Sequence, residues 1–150
     1  MRFVWAVQVA STLFMVGVIW FVQLVQYPGM ARIPVDAFPE WQRANIAATG
    51  RLVIVPMVLE TVTALILMWR RPPGASRDLM LAGLGMLAVI WTVTALVVMP
   101  MHRMLQGAFD PEVHRTMVLA NWLRTLPWTF RGGLIVWLLT RPFPRPSSEP

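Results

Sequence analysis

Four stretches of this chain are too long and too apolar to be exposed to water. They run from about Phe3 to Tyr27 (FVWAVQVASTLFMVGVIWFVQLVQY), Leu52 to Trp69 (LVIVPMVLETVTALILMW), Leu79 to Met101 (LMLAGLGMLAVIWTVTALVVMPM) and Thr116 to Thr140. Each approaches or exceeds the roughly 20 residues with which a helix crosses a hydrocarbon layer about 30 Å thick. Lipid offers no partner to a backbone N–H or C=O, so a crossing segment must pair these groups within itself, as a helix. The expectation is an all-α integral membrane protein: a single domain, a four-helix bundle, passing several times through the inner (plasma) membrane of the cell. Composition agrees. Of 150 residues, 57% are hydrophobic and 13% charged, whereas about a quarter are charged in an ordinary soluble domain. Arg2 before the first apolar run imitates a signal peptide. The run is too long, and no small-x-small cleavage site follows, so it reads as a retained helix.

The connecting segments are short. PGMARIPVDAFPEWQRANIAATG lies between the first two spans; its second part, about 36–49, carries Phe38, Trp41 and Ile46 at near-helical spacing and predicts a separate amphipathic helix at the membrane surface. RRPPGASRD is a turn, HRMLQGAFDPEVHR joins the last two spans, and the tail 141–150, RPFPRPSSEP, has the composition of a disordered segment. All thirteen basic residues are arginine and the net charge is +6. With no basic run and no aromatic–basic alternation, this charge does not point to nucleic acid; it is that of loop arginines meeting membrane lipid. Arg2, Arg70, Arg71, Arg77, Arg141 and Arg145 fall on one side, and Arg32, Arg43, Arg51, Arg103 and Arg115 on the other. The short RRPPGASR loop favours both termini in the cytoplasm. There are no cysteines, hence no disulfide and no thiolate metal site.

Polar residues inside the spans carry the functional question. In the fourth, Asn121, Arg124, Trp128 and Arg131 occupy about a third of a helix circumference. His114 sits at the edge of that face. A charge at mid-bilayer costs at least about 2.5 kcal/mol, so the arginines must face protein or a wet cavity. Glu60 is the one acidic residue in any apolar segment. It is the expected partner, and depth alone does not choose between Arg124 and Arg131. Such a pair is either a latch between helices or part of a ligand site. Pro127, which removes a donor and crowds the carbonyl of Leu123, predicts a kink. Gln8, Ser11, Thr12, Gln23, Gln26, Tyr27, Thr92 and Thr94 are expected to hydrogen-bond between helices. Met99, Met101, Met104 and His102 form a set of soft ligands, and His102 with His114 brackets a short loop, so Cu(I) or haem is conceivable there. No strong motif names a cofactor: CxxCH, HExxH and the di-iron carboxylate pair are all missing.

YPGMARI after the first span, Pro56–Glu60 (PMVLE), VMPMHRML at 98–105 and NWLRT at 121–125 resemble a group of small bacterial four-helix membrane proteins of unknown function. That group is similar in turn to the DUF1772, or anthrone-oxygenase-like, family, with its P-x-N/H-x-x-L and N-W/x-x-R elements. The resemblance covers most of the chain and singles out Glu60, Pro100, His102, Asn121 and Arg124. It also implies histidines near Gln42 and Asn45, which this chain lacks. Oxidation of an anthrone to a quinone belongs to some members of the wider family and implies a pocket for a planar apolar molecule.

Three readings follow. The first is a binding or structural membrane protein holding a lipid or small apolar ligand with Glu60, Asn121, Arg124, Trp128 and Arg131. The second is an oxygenase-like enzyme for an aromatic or quinone-like substrate, with Asn121 and Arg124 stabilising an oxyanion and His102 or Glu60 taking a proton. The third is a metal or haem protein using His102, His114, Met99, Met101 and Met104. A transporter of this size would have to work as a homo-oligomer.

Overall fold

The computed structural model describes residues 2–72 and 74–141. They form helix α1 (Arg2–Met30), α2 (Phe38–Trp69), α3 (Arg77–Met104), α4 (Pro111–Ala120) and α5 (Trp122–Leu139). The last two make one rod interrupted at Asn121, so the architecture is an all-α bundle of four rods. Helices α1, α2 and α3 are long and apolar enough to cross a membrane. Around the bundle, α1 lies beside α2 and α5, and α3 lies beside α2 and α5, leaving α2 diagonal to α5. The start of α1 and the end of α5 share one end with the turn after α2, where Trp5, Leu67, Leu79 and Leu138 meet. This is termed the proximal end; the distal end carries segments 31–37 and 105–110. The tail beyond Arg141, expected to be disordered, lies outside the described residues.

Polarity is distributed the reverse of a water-soluble bundle. Leu24, Leu52, Val55, Val62, Leu96 and Phe130 are exposed, while Gln8, Thr12, Gln23, Gln42, Glu60, Asn121, Arg124, Thr125 and Arg131 are buried. An apolar exterior costs nothing in lipid, and polar groups brought together inside satisfy one another. The arrangement therefore fits a bilayer.

One expectation changes. The amphipathic helix expected at about 36–49 and the span expected at 52–69 are one continuous helix of 32 residues. Nothing in ANIAATGRL breaks it: the two alanines before Thr49 are strong helix formers, and Gly50 alone costs about 1 kcal/mol. At 1.5 Å per residue it is about 48 Å long, more than the hydrocarbon layer needs. Its distal turns bury Phe38 against Phe109, ring to ring at 4.9 Å. The fourth rod adds a feature of its own: helix α5 contains Pro127 in its interior, and an interruption falls at Asn121, whose carbonyl accepts from both Arg124 N–H and Thr125 N–H.

Helices α1 and α3 each contain one π turn, at Val22–Gln26 and Thr94–Val98. In each the residue after the turn reaches five back, Tyr27 N–H to Val22 O and Met99 N–H to Thr94 O. Pro28 and Pro100 follow immediately. A proline ring collides with the carbonyl four residues earlier, here Leu24 and Leu96, and a wider turn makes room for it.

Candidate functional site

Two polar clusters occupy the bundle interior. The proximal one centres on Glu60, fully buried on α2. Arg131 Nε donates to Glu60 Oε1 at 3.0 Å and Trp128 Nε1 donates to Oε2 at 3.0 Å, both crossing the bundle diagonal. Thr12 Oγ1 donates to Oε1 at 2.7 Å. Behind them Gln8 Nε2 donates to Thr12 and Thr63 Oγ1 donates to Gln8 Oε1. The other end of the Arg131 fork meets the carbonyl of Gly83, where a Cβ would sit 3.2 Å from Nη1. At Gly132 an added Cβ would fall 2.9 Å from Val16, so α5 approaches α1 closely there. The carboxylate is thus satisfied from three sides. The cavity beside Gln8 and Arg131 holds only about 30 Å³, room for about one water.

The distal cluster centres on Arg124. Its Nε donates to Asn121 Oδ1 at 2.9 Å, Nη2 donates to Asn121 Oδ1 and, at 3.2 Å, to Tyr27 Oη, and Nη1 donates to Thr94 Oγ1 at 3.3 Å. Asn121 is held in turn, its Nδ2 donating to Gln23 Oε1 at 2.8 Å. A guanidinium has five N–H groups; these bonds use four and leave one on Nη1. Among the described residues the one ion pair is Arg131–Glu60. Arg124 therefore keeps an unneutralised charge, surrounded by neutral oxygens.

Arg124, Tyr27 and His102 border a cavity of about 130 Å³ that also meets Trp128, Met15, Ile19, Met57 and Met99. Its volume approaches the ~150 Å³ that takes up a benzene ring. His102 Nε2 lies 3.0 Å from Tyr27 Oη and Nδ1 lies 3.0 Å from Gln42 Nε2. With Gln42 donating to Nδ1, the imidazole carries its proton on Nε2 and donates to Tyr27. The phenol then accepts from both His102 and Arg124, and its own O–H is free to turn towards the cavity. Gln42 Oε1 is buried without a partner. Turning that amide over would reverse the line, with Oε1 accepting from Nδ1–H and Nε2 accepting from the Tyr27 hydroxyl.

The expected site residues thus divide. Glu60 and Arg131 belong together, which settles the choice that depth left open. Asn121 and Arg124 belong to the other cluster, with His102, and Trp128 spans both by its N–H and its ring. His114 lies apart: it donates from Nε2 to the backbone carbonyl of Tyr27 at 2.7 Å and its ring meets Phe109. Met99 borders the cavity, Met101 packs on the core and Met104 is exposed. The soft-ligand set is therefore spread over three environments. Among the described residues no three His, Asp or Glu side chains gather as a metal site. Of the polar residues expected to bond between helices, Gln8, Thr12, Gln23, Gln26, Tyr27 and Thr94 do so, whereas Ser11 donates to carbonyls of its own helix and Thr92 is exposed.

Tyr27 and Gln42 were not anticipated as site residues. A signal for Tyr27 exists in the spacing. Ser11, Met15, Ile19, Gln23 and Tyr27 recur every four residues, as do Ile90, Thr94, Val98 and His102 on α3. An ideal helix drifts about 40° at each such step. The extra residue of a π turn takes the drift back and keeps both rows facing inwards.

Comparison of the chain with family profiles, with curated protein sequences and with solved structures gave no match.

Proposed function

We propose that this chain is a multi-pass inner-membrane protein that binds a small, flat, largely apolar ligand with one oxygen acceptor in the distal cavity. The observation that carries the reading is Arg124: a buried guanidinium without a carboxylate partner among the described residues, bordering a ring-sized cavity. A protein that needed only a latch has one already at Glu60–Arg131. The second cation is held on Asn121, Tyr27 and Thr94, with one N–H unused. A carbonyl or phenolate oxygen would accept from it and from the Tyr27 hydroxyl, while Trp128, Met15 and Met57 would cover the ring. The reading is in keeping with the resemblance to the anthrone-oxygenase-like group, whose marked positions His102, Asn121 and Arg124 lie in this cluster.

Native mass spectrometry in mild detergent tests it. The expected result is a retained or added ring-sized molecule on wild type, lost in Arg124→Met. A wild type that carries only lipid and takes up no added quinone or phenol would overturn the reading. The proximal end is assigned to the cytoplasm on its arginines; a reporter fused to the C-terminus and active only outside the cytoplasm would reverse this.

An enzymatic reading has one observation in its favour. His102 borders the cavity and bonds the Tyr27 hydroxyl there, so a bound phenol or enol could exchange a proton with a protein group. Turnover of such a compound by wild type, lost in His102→Leu with binding retained, would establish it; no turnover of any bound ring compound would remove it.

A further inference from the structure

The cavity lies one wall away from the outer surface of the bundle. On the outer surface between α1 and the distal half of α2 runs an open groove of about 790 Å³. Val18, Val22, Gln26, Asn45 and Thr49 line both the groove and the cavity, so one wall separates them. The polar part of that wall is a single latch: Gln26 Nε2 donates to Asn45 Oδ1 at 2.6 Å and to Thr49 Oγ1 at 3.1 Å. Two features make the groove a channel for a chain. Gly17 and Gly29 both border it, and an added Cβ at either would meet nothing within 4 Å. The rest of its lining is mainly apolar, with Phe14, Phe21 and Leu52 among it. Arg124 and Tyr27 stand on the cavity side only.

We infer that the ligand is an amphiphile with one tail: a ring bearing a carbonyl or phenolic oxygen in the cavity, and a long hydrocarbon chain leaving between Gln26 and Thr49 to lie in the groove past Gly17. This rests on the proposed distal binding site and names its ligand class. The cavity has the volume of about one ring, which a phospholipid with headgroup, glycerol and two chains exceeds. The groove opens to lipid, so the ligand reaches the cavity sideways from the bilayer, without crossing water.

The test uses the full-length protein in vesicles and two probes: a decyl-substituted benzoquinone, and the same ring with methyl in place of decyl. Gly17→Trp fills the groove. Gly85→Trp places an equal indole on the exposed face of α3, where a Cβ likewise meets nothing. Partitioning into the bilayer favours the decyl compound equally for every variant, so the readout is each variant's ratio to wild type. The expected result is about a tenfold loss of decyl-compound binding in Gly17→Trp, from lost tail contacts, with the methyl ring unaffected and Gly85→Trp unchanged for both. Equal binding of the decyl compound by Gly17→Trp and wild type would overturn the tail assignment while leaving the cavity reading intact. Failure of wild type to bind either ring would overturn both.

Discussion

The proximal and distal clusters contain the same kinds of residue and are built to opposite ends. Each has a buried arginine from α5, an indole or phenol, and hydroxyls from neighbouring helices. At the proximal end the arginine meets a carboxylate and the packing leaves about 30 Å³. At the distal end the arginine meets neutral oxygens only, and about 130 Å³ stays open beside it. A cation neutralised and walled in stabilises the fold. A cation left charged beside a void adds less to the fold than it takes in desolvation, unless something occupies the void. The difference teaches that charge balance and cavity volume, read together, separate a latch from a site where residue types alone do not.

The sharpest way to break the comparison is to remove each arginine. Arg131→Met strands a buried carboxylate and is expected to cost about 3–5 kcal/mol, read by thermal unfolding in detergent. Replacing Glu60 by leucine in the same chain should return most of that stability. Arg124→Met is expected to weaken binding of a benzoquinone by about tenfold to a hundredfold, the worth of a hydrogen bond to a charged group, with a smaller loss of stability. Equal destabilisation by the two substitutions would make both clusters latches. Tyr27→Phe keeps the ring and removes two hydrogen bonds; about 1 kcal/mol of stability should go, together with several-fold of ligand affinity in the same titration. Thr12→Val is the proximal counterpart. It removes one donor to Glu60, costs about 0.6 kcal/mol, and should leave ligand binding where it was.

Three of the four expected spans were legible because lipid imposes a single requirement over some twenty residues, and α1, α2 and α3 meet it plainly; the fourth, whose 18-residue helix α5 carries Arg124 and Arg131, is not apolar enough to meet it by length and composition alone. The Glu60 pair was legible as a pair for the same reason: an acid inside an apolar segment must find a base. Which base was not, because Arg124 and Arg131 lie two helical turns apart and depth counts them alike; the answer depends on α2 and α5 being diagonal neighbours. The join of the surface segment to α2 escaped notice since Gly50 and the polar run before it look like a boundary, although no residue there forbids a helix. Tyr27 and Gln42 were missed as site residues because their role comes from partners on other helices, His102 for both and Arg124 for Tyr27.

The paired π turns have a genetic consequence. Each amounts to a single residue inserted into a helix and absorbed by one wider turn, so everything distal to it keeps the facing it would have in an uninterrupted helix one residue shorter. A deletion of one codon within 94–98 would therefore let α3 close into an ordinary α-helix with His102 still turned to the interior. The same holds for 22–26 and Tyr27. Chains of this kind can therefore differ in length by one residue at either place and keep the distal site. Alignments that pair residues by number across such an indel would misplace the site, whereas the wall of the cavity would not have moved.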